Sequence, residues 1–185
     1  GTTTAGMYIT ETDTVAVDTV SVSVTEFTES AGTSTVSDTA QSDLVSGNNG
    51  NIVLAANGII TLNDGTDADG QAVNANGSGN ILIDANTDNI DLNSDILSGT
   101  GHITLKAVTD ILVGDATATG VDITTGTTGT ISLDAESGAV TMAGDSTITA
   151  TDSSLRVNAA TDITVSNLTA QNVSLVADTG ALINA

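Results

Sequence analysis

The sequence has no cysteine, no proline and no tryptophan, and its 185 residues include one tyrosine, one phenylalanine, one histidine and only two residues that are Lys or Arg. Each gap removes a class of protein. Without thiols there is neither a disulfide framework nor a thiolate metal site, and cysteine usage says nothing of the redox compartment. With aromatics at 1%, any core must be aliphatic. Lys106 and Arg156 stand against 23 acidic residues, for a net charge of −21. Such a surface repels phosphate backbones and anionic head groups, so neither nucleic acid nor membrane insertion is expected. No apolar run reaches membrane-spanning length. The sequence opens at Gly1 with no Met and no charged-then-apolar leader, as a mature chain or an excised piece would.

What is present is regular. Hydrophobic residues make up 39%, enough to separate this acidic chain from a disordered tail. The pattern Ile-x-Leu-x-Ala recurs six times: Ile52/Leu54/Ala56, Ile81/Ile83/Ala85, Ile103/Leu105/Ala107, Ile131/Leu133/Ala135, Leu155/Val157/Ala159 and Val173/Leu175/Ala177. Eight or nine residues after each first apolar residue a second alternation begins, at Ile60, Ile90, Ile111, Val140, Ile163 and Leu182. A shorter third strand can be drawn around Val73, Ile96, Val121/Ile123, Ile148 and Leu168. Successive first strands lie 18 to 29 residues apart, so the loops absorb the variation.

Alternation of period two turns Ile, Leu and Ala to one face. Repeated short strands joined by corners predict an all-β chain folded as a parallel β-solenoid of about six to eight coils, each stacked ~4.8 Å from the last around one aliphatic column. A β-sandwich also uses short alternating strands, but nothing in it fixes the eight-or-nine offset or the alanine in each copy. The alanine is expected at the corner where the interior is narrowest. Gly50, Gly79, Gly101 and Gly129, two residues before a first strand, are expected to supply the sharp turn into it. Asn-Gly at 49–50, 57–58 and 76–77 marks further corners where positive φ is tolerated. The organisation expected is solenoid of weaker pattern over 1–27, a Ser/Thr/Asp-rich excursion over 28–49, and regular coils over 50–185. Met7/Ile9 and Val15/Val17 repeat the offset, and Val20, Val22 and Val24 read as a further inward-facing strand.

The motifs "GNILIDANTDNIDLNSDI", "GHITLKAVTDILV" and "GTISLDAESGAVTM" resemble the repeats of filamentous-haemagglutinin-type β-helices of giant secreted and cell-surface bacterial proteins. The likeness covers about residues 50–185 closely and 1–27 loosely. It implies a right-handed parallel β-helix, located outside the cell or on its surface, acting as an adhesin, stalk or fibre. No secretion-signal domain of the two-partner kind accompanies it.

No enzyme is expected. β-Helix enzymes that cleave acidic polysaccharides cluster basic and acidic groups to neutralise a uronate and abstract its proton, whereas Lys106 and Arg156 fall on outward positions of different coils. His102 shares an outward position with Asn51, Asn80, Thr130, Ser154 and Asn172, which reads as a solvated row. The best candidate for a metal site is "NDGTDADG", where Asp64, Asp67 and Asp69 precede Gly70 and could wrap calcium with hard oxygen ligands. The same residues are ordinary for an exposed turn, and the full D-x-[DN]-x-[DN]-G spacing and distal Glu are missing. Asp88, Asp110 and Asp162, each just before a second strand, form a second possibility if they stack. Asn76, Asn167 and Asn172 head N-x-S/T sequons.

Two functional readings follow. In the first the chain is a rigid, repetitive structural module of an extracellular fibre or stalk. In the second its variable loops bind glycans of a host or neighbouring cell, a reading the shortage of aromatics disfavours. The ends favour the first: joining Ala185 to Gly1 would place Met7 ten residues after Leu182, the step that separates Ile163 from Val173. The partner expected is therefore another copy of the unit, head to tail, in tandem or as a filament subunit.

Overall fold

The computed structural model describes residues 2, 3, 5–115 and 120–185; the expected junction at Gly1 lies outside them. Among the described residues there is no helix, and short strands pair in parallel in three stacks. First strands Met7–Glu11, Ile52–Ala56, Ile81–Ala85, Ile103–Ala107 and Ile131–Ala135 pair in chain order without a slip in register. Second strands Val15–Val17, Ile60–Leu62, Ile90–Leu92, Ile111–Val113, Val140–Met142, Ile163–Val165 and Leu182–Asn184 form a seven-stranded sheet, also in chain order. Third strands include Leu44–Ser46, Gln71–Ala75, Asp95–Ser98 and Asp122–Thr125. In Thr147–Ala159 and Asn167–Ala177 a third strand runs on into the next first strand, which joins two stacks into one twelve-stranded sheet. The chain thus winds as a parallel solenoid.

Parallel stacking in register puts like on like. Ile52, Ile81, Ile103, Ile131, Leu155 and Val173 are successive partners, as are Ala56, Ala85, Ala107, Ala135, Ala159 and Ala177. Ten of the twelve residues expected in the first-strand column, Ile52 through Val157, are at most 2% exposed. Val173 is 47% exposed and Leu175 only partly buried. Both lie in the outermost first strand, where no further described strand covers them.

The glycines before the first strands are needed for a different reason than expected. Gly50, Gly79, Gly101 and Gly129 do not have positive φ. A Cβ on Gly79 would strike the carbonyl oxygen of Gly50, one on Gly101 that of Gly79, and one on Gly129 that of Gly101. It is the close approach of successive coils that excludes a side chain. Buried hydroxyls serve the same corner: Ser98 Oγ donates to the Gly79 carbonyl at 2.8 Å and accepts from the Gly101 amide at 2.9 Å, and Thr125 Oγ1 donates to the Gly101 carbonyl at 2.6 Å. Of the Asn-Gly corners, only Asn49 and Gly77 take positive φ.

Val20, Val22 and Val24 do not face inward. They are 61%, 49% and 50% exposed. Ser23–Phe27 pairs antiparallel with Thr33–Ser37 in a separate two-stranded hairpin that crosses the expected boundary at 27/28. The chain rejoins the column at Leu44, which is 9% exposed and pairs with Val73.

Candidate functional site

The described residues bring one group of three carboxylates to within 4.8 Å of one another: Asp43, Asp64 and Asp67. Two of them come from the loop singled out in the sequence; the third does not. Asp69 turns instead to its own strand, accepting from the Gln71 backbone amide at 2.9 Å and from Gln71 Nε2 at 3.1 Å. Asp64 Oδ1 accepts the Gly70 amide at 2.9 Å, which folds the loop back on itself. Asp43 is 4% exposed and left-handed at φ 56°. Burial, a hydrogen bond to Asp67 and the charges of Asp67, Asp69 and Asp64 push its carboxyl up to about 7. The group can be held by one shared proton, with Asp43 donating to Asp67, or by a divalent cation on three carboxylate oxygens. Sequence reasoning missed Asp43 because it lies 21 residues before Asp64, in the returning arm of the excursion. A signal was there: Asp43, Asp95 and Asp122 each precede the first buried residue of a third strand, Leu44, Ile96 and Ile123.

Asp88, Asp110 and Asp162 do not stack. In register with the second strands, Asp110 and Asp162 precede Ile111 and Ile163 with Ala139 between them, while Asp88 sits one position earlier than Asn89. Asp88 Oδ1 accepts the Asn89 amide of its own coil at 3.0 Å, whereas Asp110 and Asp162 cap the coil above. Asp110 Oδ1 accepts the Ala139 amide at 2.7 Å, and Asp162 Oδ1 accepts the Ala181 amide at 2.7 Å. Gly138 and Gly180 leave the room, since a Cβ on either would meet the capping carboxylate. Asp91, on the second-strand face, has a buried Oδ1 without a hydrogen bond; desolvation, then Asp88, Asp110 and Asp115, raise its pKa.

His102 takes the outward position expected, in a row with Asn51, Asn80, Thr130, Ser154 and Asn172. Asn51 Oδ1 accepts the Asn80 amide at 2.9 Å and Asn80 Oδ1 accepts the His102 amide at 2.8 Å. His102 Nδ1 accepts the Thr130 amide at 3.1 Å and lies 2.9 Å from Thr130 Oγ1. The row therefore stitches coil to coil through side-chain acceptors. Lys106 and Arg156 lie on the same broad face and are ion-paired, with Glu136 at 2.6 Å and Asp134 at 3.2 Å.

No family model matches this chain, and neither a curated protein nor a solved structure does so. The candidate sites rest on geometry alone.

Proposed function

We propose that the chain is a right-handed parallel β-helix of seven coils that serves as a structural module of an extracellular fibre or stalk, stacking end to end with further copies of itself. One observation carries the reading. The apolar column is as apolar at its outer coil as in its middle, yet uncovered there: Val173 and Leu182 are 47% and 57% exposed, while their partners Leu155 and Ile163 are 1% and 0% exposed. At the opposite face Ile9, Val15, Val17 and Leu44 line a recess of about 310 Å³ that reaches Leu54. Apolar surface of this kind, framed by open strand edges, is the surface another coil would cover. The right hand follows from the preference of parallel strand crossovers for that sense. Extracellular placement rests on the resemblance to surface β-helix repeats, and seven coils at about 4.8 Å each would add roughly 30 to 35 Å of length.

The test is a chain of two copies joined Ala185 to Gly1. Continuous stacking gives one cooperative melt, with a midpoint above that of the single copy, and a small-angle scattering profile of one rod of doubled length. Two independent bodies with an unchanged midpoint would overturn the proposal.

A further inference from the structure

We propose that the first-strand face carries a groove, running along the solenoid axis, that binds a linear uncharged polysaccharide. This goes beyond stacking and holds for a single copy; it also places the ligand on the flat face and not in the variable loops.

Two depressions at opposite ends of this face are lined by the same positions of successive coils. One wall is the row from Asn51 through His102 to Asn172. The other is the residue two places further along each strand: Tyr8, Val53, Leu82, Thr104, Ser132 and Arg156 in successive register. The residue between the walls points into the core, so its backbone forms the floor. The two depressions follow one another across the strands, one on the coils from Tyr8 to Thr104 and the next on those from Thr130 to Ser174.

The walls differ in chemistry. Tyr8 is 72% exposed and lies in register with Val53 and Leu82, an apolar platform with the chain's single tyrosine ring. Opposite stand amides, hydroxyls and His102, whose Nδ1 accepts from Thr130 and so leaves Nε2–H on an exposed ring as a donor. A pyranose is amphipathic in the same sense, with an apolar C–H face and a rim of hydroxyls, and each coil step of about 4.8 Å is close to the advance of one sugar in an extended chain. Neither wall contains an acidic residue, in a chain with 23. The one formal charge, Arg156, is paired with Asp134. A polyanion would meet the field of a −21 molecule without a compensating cation. An extended peptide would find no strand edge to join, because the strands run across the groove and pair along the stack.

The experiment is an amide and side-chain NMR titration of the full chain with cellohexaose, chitohexaose and mannohexaose, with hexagalacturonate as the charged control. At least one neutral hexasaccharide is expected to shift Tyr8, Asn80, His102 and Thr130, more tightly than its disaccharide. Tyr8→Ala is expected to weaken binding about fivefold, the scale of one aromatic contact, while Thr164→Ala on the second-strand face leaves it unchanged. Tyr8 is exposed, so the variant keeps its fold, which a melt verifies. No groove shift with any neutral hexasaccharide at millimolar concentration overturns the proposal. So do shifts confined to the loops, tighter binding of hexagalacturonate, or an unaltered affinity in Tyr8→Ala.

Discussion

Ala107 has no exposed surface and lies in register between Ala85 and Ala135, so a larger side chain there meets neighbours above and below at once. Ala107→Leu is expected to cost about 1–3 kcal/mol through overpacking; an unchanged urea midpoint would show room at the corner. This position was legible in the sequence because the same residue type recurs at the same offset in six copies. Asp43 was not legible, since its environment is made by residues that only the closed coil brings near. Its ordinary value is 3.8 and the fold pushes it up to about 7, so over that interval the native chain holds a proton that the unfolded chain releases. Stability from this group is full below about pH 4 and lost as pH rises through about 7. Asp43→Asn keeps the group neutral and tolerates the left-handed backbone. The stability of the parent chain, measured by urea unfolding, is therefore expected to fall relative to Asp43→Asn between those limits; parallel curves would refute the shared proton. Asp91 and Asp95 are also raised, by burial first, but they are common to both chains and drop out of the difference. Calcium on the three carboxylates would instead make the melt sensitive to chelator at matched ionic strength. The shared proton predicts no such shift.

The hairpin at Ser23–Phe27 and Thr33–Ser37 shows where strand-level reading stops. Val20, Val22 and Val24 alternate as a column strand does, and period two states only that one face is apolar, not what that face meets. The features that separate them from true coils are the missing corner alanine and the missing partner at the eight-residue offset. Met7–Glu11 has Glu11 in place of the alanine and was readable by its offset alone. From residue 50 on, every first strand ends in the alanine and is followed at the eight-or-nine offset by a second strand, so both sets and their register were readable there. The fusion of third and first strands in Thr147–Ala159 was not, because the bend depends on Asp152 accepting φ 54° in place of a glycine corner. A two-stranded hairpin without a packed face is marginal on its own in water. Its base is closed by the antiparallel bridge between Val20 and Gln41, with Val20 N donating to the Gln41 carbonyl at 2.7 Å and Gln41 N donating back at 2.9 Å. Replacing residues 21–40 by Asn-Gly retains that bridge with a tight turn. The unfolding free energy of the column is expected to change by no more than about 0.5 kcal/mol, as for changes away from packed features. A loss of several kcal/mol would mean that the hairpin shields the recess at Ile9 and Val15.

At the scale of the molecule, two forces oppose each other along the axis. The exposed apolar residues Val173 and Leu182 favour covering by another coil, while a charge of −21 on each copy, with Lys106 and Arg156 already paired, favours separation. The charge was plain in the sequence, whereas the uneven covering of the two ends was not, because it depends on how the excursion returns past Gln41 and Asp43 to line one side of the recess. The balance fixes the sign of a salt effect. Repulsion between like-charged rods reaches about 30 Å at 0.01 M salt and about 8 Å at 0.15 M, but burial of apolar surface is not screened. End-to-end association is therefore expected to strengthen as sodium chloride rises from about 0.01 to 0.15 M, read as a growing weight-average mass in sedimentation equilibrium. Val173→Asp with Leu182→Asp is expected to abolish the growth by placing carboxylates in the contact itself. Association that weakens with salt would mean that the ends attract by charge pairing, which the apolar column does not provide.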